Sequence, residues 1–282
     1  MNDASLLDAF IRAALAEDVG PGDHTTLACI PAKACGKAVL KIKAAGVLAG
    51  MEVAEAVFRY LDPETVFVPY KQDGEAMRPG EHAFEVAGRV HAILQGERLV
   101  LNCMQRMSGI ATLTRQYTDR LQGYATRLLD TRKTTPNFRM LEKAAVKAGG
   151  GVNHRMGLYD LIMLKDNHID YCGGITRAVR RVQEYLTANG LSLKIEVEAR
   201  TPADVEEILA AGGVHRIMLD NFSPEQLSAA VRQIGGRTET EASGGITLDN
   251  LEAYAATGVD YISAGAVIHQ AVSLDLSLKA AQ

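Results

Sequence analysis

The stretch that decides the fold runs from Leu193 to Ile234 and reads LKIEVEARTPADVEEILAAGGVHRIMLDNFSPEQLSAAVRQI. Two short apolar runs, Leu193–Glu198 and Arg216–Asp220, predict strands, and a helical pattern follows each of them. Both helical patterns begin with a capping residue and a proline, as in Thr201–Pro202. Strands that alternate with helices are typical of a parallel sheet, so this stretch predicts an α/β fold.

The same alternation of strands and helices extends over the second half of the chain, where helical segments separate the last four strand candidates. The right-handed crossover rule leaves an open doubly wound sheet or a barrel. The region has only about 160 residues, which is short for eight strand–helix units, so we expect a barrel with fewer strands. The strand candidates are Thr126–Asp130, Leu161–Lys165, Leu193–Glu198, Arg216–Asp220, Glu239–Ser243 and Tyr261–Gly265.

The first part of the chain has a different pattern of predicted helices and strands. A helix is predicted near Ser5–Glu17, and short strand-like runs separated by turn signals follow it. Apolar residues between Leu99 and Ile110 recur every three or four positions, which predicts one long helix. This part therefore reads as α+β.

Composition and charge exclude several classes of protein. The chain has 282 residues, is 47% hydrophobic and carries a net charge of −4, which argues against general nucleic-acid binding. The sequence contains no uncharged apolar run of about 18 residues, so no membrane-spanning helix is predicted. The N-terminal residues lack the pattern of a secretory signal. The four cysteines form no CxxC pair, so we expect free thiols and a cytoplasmic location.

Positive charge is concentrated in one segment, Thr131–Lys165. It contains seven basic and two acidic residues, a net charge of +5 within an acidic chain. Three of the basic residues, Arg139, Lys143 and Lys147, have helical spacing and predict a solvated helix face. The remaining cations predict a site for an anionic ligand.

Polar residues stand where the predicted strands end, and ligands of parallel α/β folds bind at those ends. Arginine and lysine suit carboxylates, paired acids suit Mg²⁺, and glycine-rich turns suit phosphate. The pattern indicates an organic anion and a phosphorylated, metal-bound substrate. The strand-end residues are Arg132, Lys133, Lys165, Glu198, Asp220, Ser243, Gly244, Gly245 and Gly265.

Each of these residues also has a simpler interpretation. Glu198 and Asp220 are equally consistent with ion-paired scaffold residues, and Arg106 with an internal ion pair. Lys165 at a barrel strand end also suits a Schiff-base aldolase. A further alternative is a non-catalytic subunit that binds a phosphorylated metabolite.

Several motifs together resemble the quinolinate phosphoribosyltransferase family. They are LNCMQRMSGIATLTR, DTRKTTP, LEKAAVKAGGGVNHRMGLYD, KDNH, EVE, IMLDN, EASGGIT and GVDYISAGA, in family order between about Glu17 and Leu278. The sets TRKTTP and NHR favour this family over a molybdenum-transport-associated protein that shares its fold.

The resemblance implies an N-terminal α+β sandwich-like domain over residues 1–115, joined by the C-terminal tail from about 268 to 282. It implies an open α/β barrel of six or seven parallel strands over residues 116–267. It also implies a homodimer, or a higher oligomer, in which Arg106 reaches the partner's site.

The implied activity transfers phosphoribosyl from 5-phosphoribosyl-1-diphosphate to quinolinate, with decarboxylation, giving nicotinate mononucleotide for NAD biosynthesis. Mg²⁺ accompanies the diphosphate, with Glu198 and Asp220 as its ligands. Lys133, Lys165, Glu198 and Asp220 are the implied catalytic residues, with Lys133 contacting either substrate. The resemblance assigns Arg132, His154, Arg155 and Lys165 to quinolinate, and Ser243, Gly244 and Gly265 to the 5′-phosphate.

Overall fold

The computed structural model describes residues 3–281, which form two compact units. The first unit comprises the described residues of Met1–Arg115, Thr134–Gly150 and Gln270–Gln282. The second unit comprises Gln116–Lys133 and Gly151–His269. The sequence-based division placed Thr134–Gly150 in the barrel domain instead. The structure groups this segment with the first unit, where its buried Glu142 binds Arg106.

The regular elements of residues 3–281 are numbered here in chain order. The helices are α1 (Asp3–Val19), α2 (His24–Cys29), α3 (Met51–Leu61), α4 (Val90–Arg120), α5 (Arg139–Ala148), α6 (Asp166–Cys172), α7 (Ile175–Ala188), α8 (Pro202–Ala211), α9 (Pro224–Ile234), α10 (Leu251–Ala255) and α11 (Ala266–His269). The strands are β1 (Cys35–Ile42), β2 (Gly46–Val47), β3 (Val66–Pro69), β4 (Ala76–Met77), β5 (His82–Arg89), β6 (Arg127–Leu129), β7 (Ile162–Leu164), β8 (Ile195–Ala199), β9 (Arg216–Asp220), β10 (Glu239–Ser243), β11 (Tyr261–Ser263) and β12 (Leu276–Ala281).

The first unit is built on an antiparallel sheet with the strand order β12-β1-β5-β3. The C-terminal strand β12 pairs with β1, with Leu278 opposite Leu40, and both side chains are buried. Helix α3 buries Phe58, whose ring meets the edge of Phe84 from β5 at a centroid distance of 6.1 Å. The C-terminal tail is therefore part of this unit's core.

The second unit contains a six-stranded parallel sheet with the order β6-β11-β10-β9-β8-β7. Strands β7 to β11 follow one another in both sequence and space, so right-handed crossovers place their helices on one face. The first strand, β6, pairs with the last, β11, as in a barrel. Beyond β6, Val152 forms a single parallel bridge to Leu129. The structure confirms the predicted α/β class, with six parallel strands in an open barrel.

The two faces of the barrel strands differ in chemistry. Along β8, Ile195 and Val197 alternate with Glu196 and Glu198, and all four side chains are buried. Strand side chains alternate between faces, so the carboxylates share the face opposite the apolar residues. The inner face is therefore charged, unlike the aliphatic layers that usually fill such barrels.

One sequence-based expectation about α5 is wrong. Its basic residues were predicted to form a solvated face, but Lys143 is fully buried and only Lys147 of the three is exposed. Helical spacing does place them on one side of α5, but that side is covered around Lys143. Spacing alone does not tell which part of a helix face is covered.

Among the described residues, no helix combines the length and apolar content that crossing a membrane requires.

The environments of the four thiols predict different reactivity. Burial raises the pKa of Cys103, on α4, to about 12, whereas Cys29 and Cys35 are exposed. We expect Cys29 and Cys35 to react rapidly with a disulfide reagent in the folded protein, because the thiolate is the nucleophile. Cys103 should react only after denaturation. Peptide mapping checks this, with Cys35→Ser as the control, and rapid labelling of Cys103 in the folded protein would contradict it.

Candidate active site

Six parallel strands end along one edge of the second unit's sheet, so the residues at these ends lie on the same side of the barrel. Nearly all residues that the sequence singled out are there. The strand-end residues are Arg132 and Lys133 after β6, Lys165 after β7, Glu198 on β8, Asp220 on β9, Ser243 on β10 and Gly265 after β11.

Three carboxylates form an acidic group at this edge. Glu198 is 8% exposed, and burial, followed by the charges of Asp220 and Asp166, raises its pKa. Asn221 donates a hydrogen bond from Nδ2 to Asp220 Oδ2 at 2.7 Å. These hard oxygen ligands, held close enough to repel one another, suit a divalent cation such as Mg²⁺.

Two guanidinium groups form the basic counterpart. Arg132 and Arg155 are half-buried, and burial, followed by the charge of Arg132, lowers the pKa of Arg155. Arg155 also reaches the Leu161 carbonyl from NH1 at 3.5 Å. A bound anion would relieve the repulsion between the two cations, so this pair suits a carboxylate-bearing ligand.

The loop that carries Arg155 is anchored to the end of β6. Asp130 is fully buried and accepts a hydrogen bond from Asn153 Nδ2 at 2.6 Å. Its other oxygen accepts the backbone N–H of His154 at 2.8 Å. Asp130 lies two residues before Arg132 in the chain. One buried carboxylate therefore joins the two segments that carry the paired arginines.

The ring of His154 lies in the protein interior. Its Nε2 is 3.1 Å from Glu196 Oε2 and 3.3 Å from Glu241 Oε2, and its Nδ1 accepts the Arg155 N–H at 2.6 Å. Burial alone would lower the pKa of His154, but the two carboxylates outweigh it and raise the pKa to about 9. Both ring nitrogens thus face protein groups, whereas the sequence analysis assigned this side chain to substrate contact.

Lys165 stands at the start of α6. Its backbone N–H donates to His168 Nδ1 at 3.1 Å, which explains part of the KDNH motif as a helix cap. The side chain is exposed, and its charge opposes the rise in the pKa of Glu198. Lys165 therefore places an exposed cation beside the acidic group.

In the turn after β10, the backbone at Gly244 lies very close to Asn221. Gly244 has φ of +100°, and a Cβ there would lie 2.1 Å from Asn221 Oδ1 and 3.0 Å from the Asn221 nitrogen. The Asn221 N–H in turn donates to the Ser243 carbonyl at 2.8 Å. Only glycine satisfies both the backbone angle and the space at position 244.

Lys133 lies against the turn that follows β11. A Cβ at Gly265 would be 3.0 Å from Lys133 Cδ and 3.3 Å from Thr131 Oγ1. Strands β6 and β11 are neighbours, which explains this proximity. The structure thus places the stem of Lys133 at the glycine turns.

Arg106 belongs to the first unit and is held by its own chain. Its NH2 is 3.0 Å from Glu142 Oε1, and its NH1 donates to the Ala271 carbonyl at 2.7 Å. Glu142 also accepts the Thr135 N–H at 2.8 Å. The internal ion pair considered in the sequence analysis is therefore present. The expected reach into a partner subunit remains a prediction.

The sequence motifs did not identify four residues of this region, which are Asp130, Asp166, Glu196 and Glu241. Asp166 had a signal, because it follows Lys165 directly at a strand end. Glu196 shares a face with Glu198 by strand alternation. The contacts of Asp130 with Asn153 and His154 join positions more than twenty residues apart, which no local pattern encodes.

The Gly244 turn gives a matched pair of variants. Gly244 and Gly245 both have positive φ, but a Cβ at Gly245 meets no atom within 4 Å. Both alanine variants should lose about 1 kcal/mol from backbone strain. Gly244→Ala should lose a further 1–3 kcal/mol, as is typical of overpacking. Urea unfolding measures the difference, and equal midpoints for the two variants would contradict the proposed steric constraint.

The sequence matches two family descriptions. "Quinolinate phosphoribosyl transferase, N-terminal domain" matches residues 23–108, and "Quinolinate phosphoribosyl transferase, C-terminal domain" matches residues 110–279. The chloroplastic nicotinate-nucleotide pyrophosphorylase [carboxylating] of Arabidopsis thaliana is 43% identical over 288 residues, covering 97% of this chain and 82% of the relative. A probable enzyme of the same name from Bacillus subtilis is 44% identical, covering 93% of this chain and 89% of the relative.

Solved structures agree with the sequence matches. NadC from Streptococcus pyogenes superposes with a TM-score of 0.91 at 39% identity, covering 100% of this chain and 99% of that one. The nicotinate-nucleotide pyrophosphorylase from Francisella tularensis also gives a TM-score of 0.91, at 35% identity, covering 100% and 98%. With both domain descriptions matched and more than 40% identity over most of its length, this chain belongs to the quinolinate phosphoribosyltransferase family.

Proposed function

We infer that this chain transfers the phosphoribosyl group of 5-phosphoribosyl-1-diphosphate (PRPP) to quinolinate and releases CO₂. The products are nicotinate mononucleotide and diphosphate, in de novo NAD synthesis. One observation carries the inference beyond family membership. The like-charged pair Arg132 and Arg155 shares one barrel edge with the acids Glu198 and Asp220. An anionic group is needed to neutralise the arginines, and a cation is needed to neutralise the acids. Family membership favours this transferase over the aldolase and the non-catalytic subunit.

Quinolinate is a pyridine with two adjacent carboxylates, and burying them requires matched cations. We assign Arg132 and Arg155 to these carboxylates, with Lys165 completing the set. The guanidinium fork binds a carboxylate with two parallel hydrogen bonds, which also fixes the plane of the ring. Burial, followed by the charge of Arg132, lowers the pKa of Arg155, and a bound carboxylate would offset both effects, which supports this assignment.

We assign the 5′-phosphate of PRPP to Ser243, Gly244 and Gly265, because glycine-rich turns can present backbone N–H groups to a phosphate. Barrels often bind phosphate after their last two strands, here β10 and β11. Lys133 lies against Gly265, so we assign its ammonium group to the PRPP side rather than to quinolinate. These contacts would hold the ribose while its anomeric carbon reacts.

Mg²⁺ fits the acidic group, because Glu198 and Asp220 offer the oxygen ligands that it prefers. Burial, followed by the charges of Asp220 and Asp166, raises the pKa of Glu198, and a cation bound there would offset both effects, which supports the assignment. When bound there, Mg²⁺ would neutralise charge on the departing diphosphate. We propose these two residues as its protein ligands.

Positioning and charge carry the reaction in this arrangement. The arginines aim the pyridine nitrogen at the anomeric carbon, where the new C–N bond forms as the C–O bond to diphosphate breaks. The ring nitrogen then bears a positive charge. This charge stabilises the electron pair that remains on the 2-carbon when the 2-carboxylate departs as CO₂, and that pair then takes a proton from solvent to form the new C–H bond.

We propose a homodimer, or a higher oligomer, in which Arg106 completes the site of the partner subunit. Four free cysteines support a reducing, cytoplasmic location. The net charge of −4 gives no support for a nucleic-acid partner, and we propose no membrane partner.

A direct assay tests the proposed function. The purified protein is mixed with Mg²⁺, PRPP and quinolinate labelled in the 2-carboxylate, and labelled CO₂ and nicotinate mononucleotide are measured. Both should form in equal amounts, and only when PRPP is present. The absence of both products with saturating substrates would reject the proposed function.

Arg155→Ala should mainly weaken quinolinate binding. Removing one cation from a buried carboxylate contact typically costs 2–5 kcal/mol, so the KM for quinolinate should rise about 100-fold. The KM for PRPP should stay nearly constant. Arg200→Ala is the control, because Arg200 is an exposed arginine bound to Asp170. A normal quinolinate KM in Arg155→Ala would remove Arg155 from the carboxylate site.

Glu198→Gln should change the response to Mg²⁺. Losing one of two proposed carboxylate ligands should raise the Mg²⁺ concentration for half-maximal activity about tenfold or more. The quinolinate affinity should change little. Glu225→Gln, a surface variant at the start of α9, is the control. An unchanged Mg²⁺ titration would show that Glu198 is not a ligand.

Mixing two inactive variants tests the shared site. Arg106→Ala and Lys165→Ala should each be nearly inactive as homodimers. Each hybrid dimer would contain one intact site, so an equal mixture should recover about a quarter of wild-type activity after subunit exchange. If hybrids form, as shown by differently tagged subunits, and no activity returns, Arg106 does not act across the interface.

A further inference from the structure

The barrel contains a charged cluster that the proposed reaction does not use directly. This inner charged cluster consists of His154, Glu196, Arg216 and Glu241. Glu196 and Glu241 are fully buried, and the side chains of His154 and Arg216 are 5% and 13% exposed. Buried charges are strongly unfavourable without partners, and Glu196 meets His154 at ion-pair distance, although neither of its oxygens has a hydrogen bond of standard geometry.

The inner charged cluster lies one layer below the strand-end residues. Glu196 precedes Glu198 by two positions on β8, and Glu241 precedes Ser243 by two positions on β10. Residues two apart on a strand share a face and are about 6–7 Å apart. The cluster is therefore directly beneath the proposed substrate contacts.

Each member of the inner charged cluster has a defined contact. Arg216 donates from NH1 to Glu241 Oε2 at 3.0 Å, and its guanidinium lies 4.2 Å from the centroid of the Tyr261 ring. His154 Nε2 lies between the two carboxylates, 3.1 Å from Glu196 and 3.3 Å from Glu241. Because Nδ1 accepts the Arg155 N–H, the ring in this arrangement carries its proton on Nε2, which faces both carboxylates.

These contacts connect the cluster to the arginines. The His154 ring receives the backbone N–H of Arg155, and the His154 backbone N–H is bound to Asp130. A shift of the imidazole would therefore displace the residue that carries the Arg155 guanidinium. Displacements of about 1 Å at a binding group can reduce catalysis strongly.

We propose that Glu196 is a positioning residue, which holds the His154 ring through Nε2 and thereby sets the Arg155 guanidinium for a dicarboxylate substrate. This inference rests on the proposed function. Glu196 touches no substrate in this account and acts only through His154. The role of His154 is then to support the quinolinate side of the site from below.

A metal ion is the competing interpretation of the same side chains. His154, Glu196 and Glu241 have ligand atoms within 4.8 Å of one another. However, His154 Nδ1 accepts the Arg155 N–H, so the ring proton is on Nε2, and a protonated ring nitrogen has no lone pair for a metal ion. The geometry therefore favours a proton on His154 Nε2 over a metal.

The test compares Glu196→Leu and Glu196→Gln with the wild type. Leucine removes the acceptor, whereas glutamine retains an oxygen that accepts the Nε2 proton. Glu196→Leu should weaken quinolinate binding about tenfold in calorimetry, and Glu196→Gln should restore much of the loss. The PRPP affinity should change less than twofold in both. Glu239→Gln is the matched control, because Glu239 binds the same Arg216 at the start of β10, and should bind quinolinate normally.

A double-mutant cycle separates positioning from a general structural role. In the Arg155→Ala background, Glu196→Leu should have almost no further effect on quinolinate affinity, because its target is absent. Additive effects would overturn the inference, as would equal losses for both substrates or normal quinolinate affinity in both Glu196 variants. A stoichiometric metal that disappears in Glu196→Gln would also overturn it.

Two further controls keep the outcome decisive. If Glu196→Leu does not fold, Glu241→Leu removes the other acceptor at Nε2 and should give the same selective loss; equal losses for both substrates there would overturn the inference. If the wild type itself neither binds quinolinate nor releases CO₂, the proposed function fails and the inference fails with it. A normal wild type with an unaffected Glu196→Leu rejects only the inference.

Discussion

The site depends on like charges that the barrel holds close together. Arg132 and Arg155 repel each other at one part of the strand-end edge, and Glu198 repels Asp220 and Asp166 at another. The folded chain sustains this arrangement because the parallel sheet fixes every strand end at the same edge. An anion at the arginines and a cation at the acids would relieve both repulsions. The charges at this edge therefore determine the class of substrate more strongly than the shape of the site does.

Support for this edge comes from buried polar groups rather than from aliphatic packing alone. Asp130 joins the end of β6 to the loop that carries Arg155, and the inner charged cluster fills the layer beneath. Replacing such groups with apolar residues often preserves stability, so their presence points to precise placement of charge. The glycine turn at Gly244 serves the same purpose, because it brings the backbone against Asn221. Rigid placement reduces the entropy that binding would otherwise lose.

The sequence predicted the parts of this structure that depend on local patterns. Short apolar runs identified β8 and β9, and cap residues identified the helices that follow them. The residues at the predicted strand ends included Arg132, Lys165 and Glu198. It did not predict that the His154 ring faces Glu196 and Glu241, because those contacts join three distant segments. Nor did it predict that Lys143 is buried, since spacing places a residue on a helix face without showing what covers it.

Calorimetric titration with quinolinate and with nicotinate, which lacks the 2-carboxylate, tests the central claim most directly. If the two arginines form a dicarboxylate site, losing one charged hydrogen-bonding partner should weaken binding by about 1.5–3 kcal/mol, or roughly 10- to 100-fold. Equal affinity for the two ligands would contradict the account, because the second carboxylate would then have no matched cation in the protein.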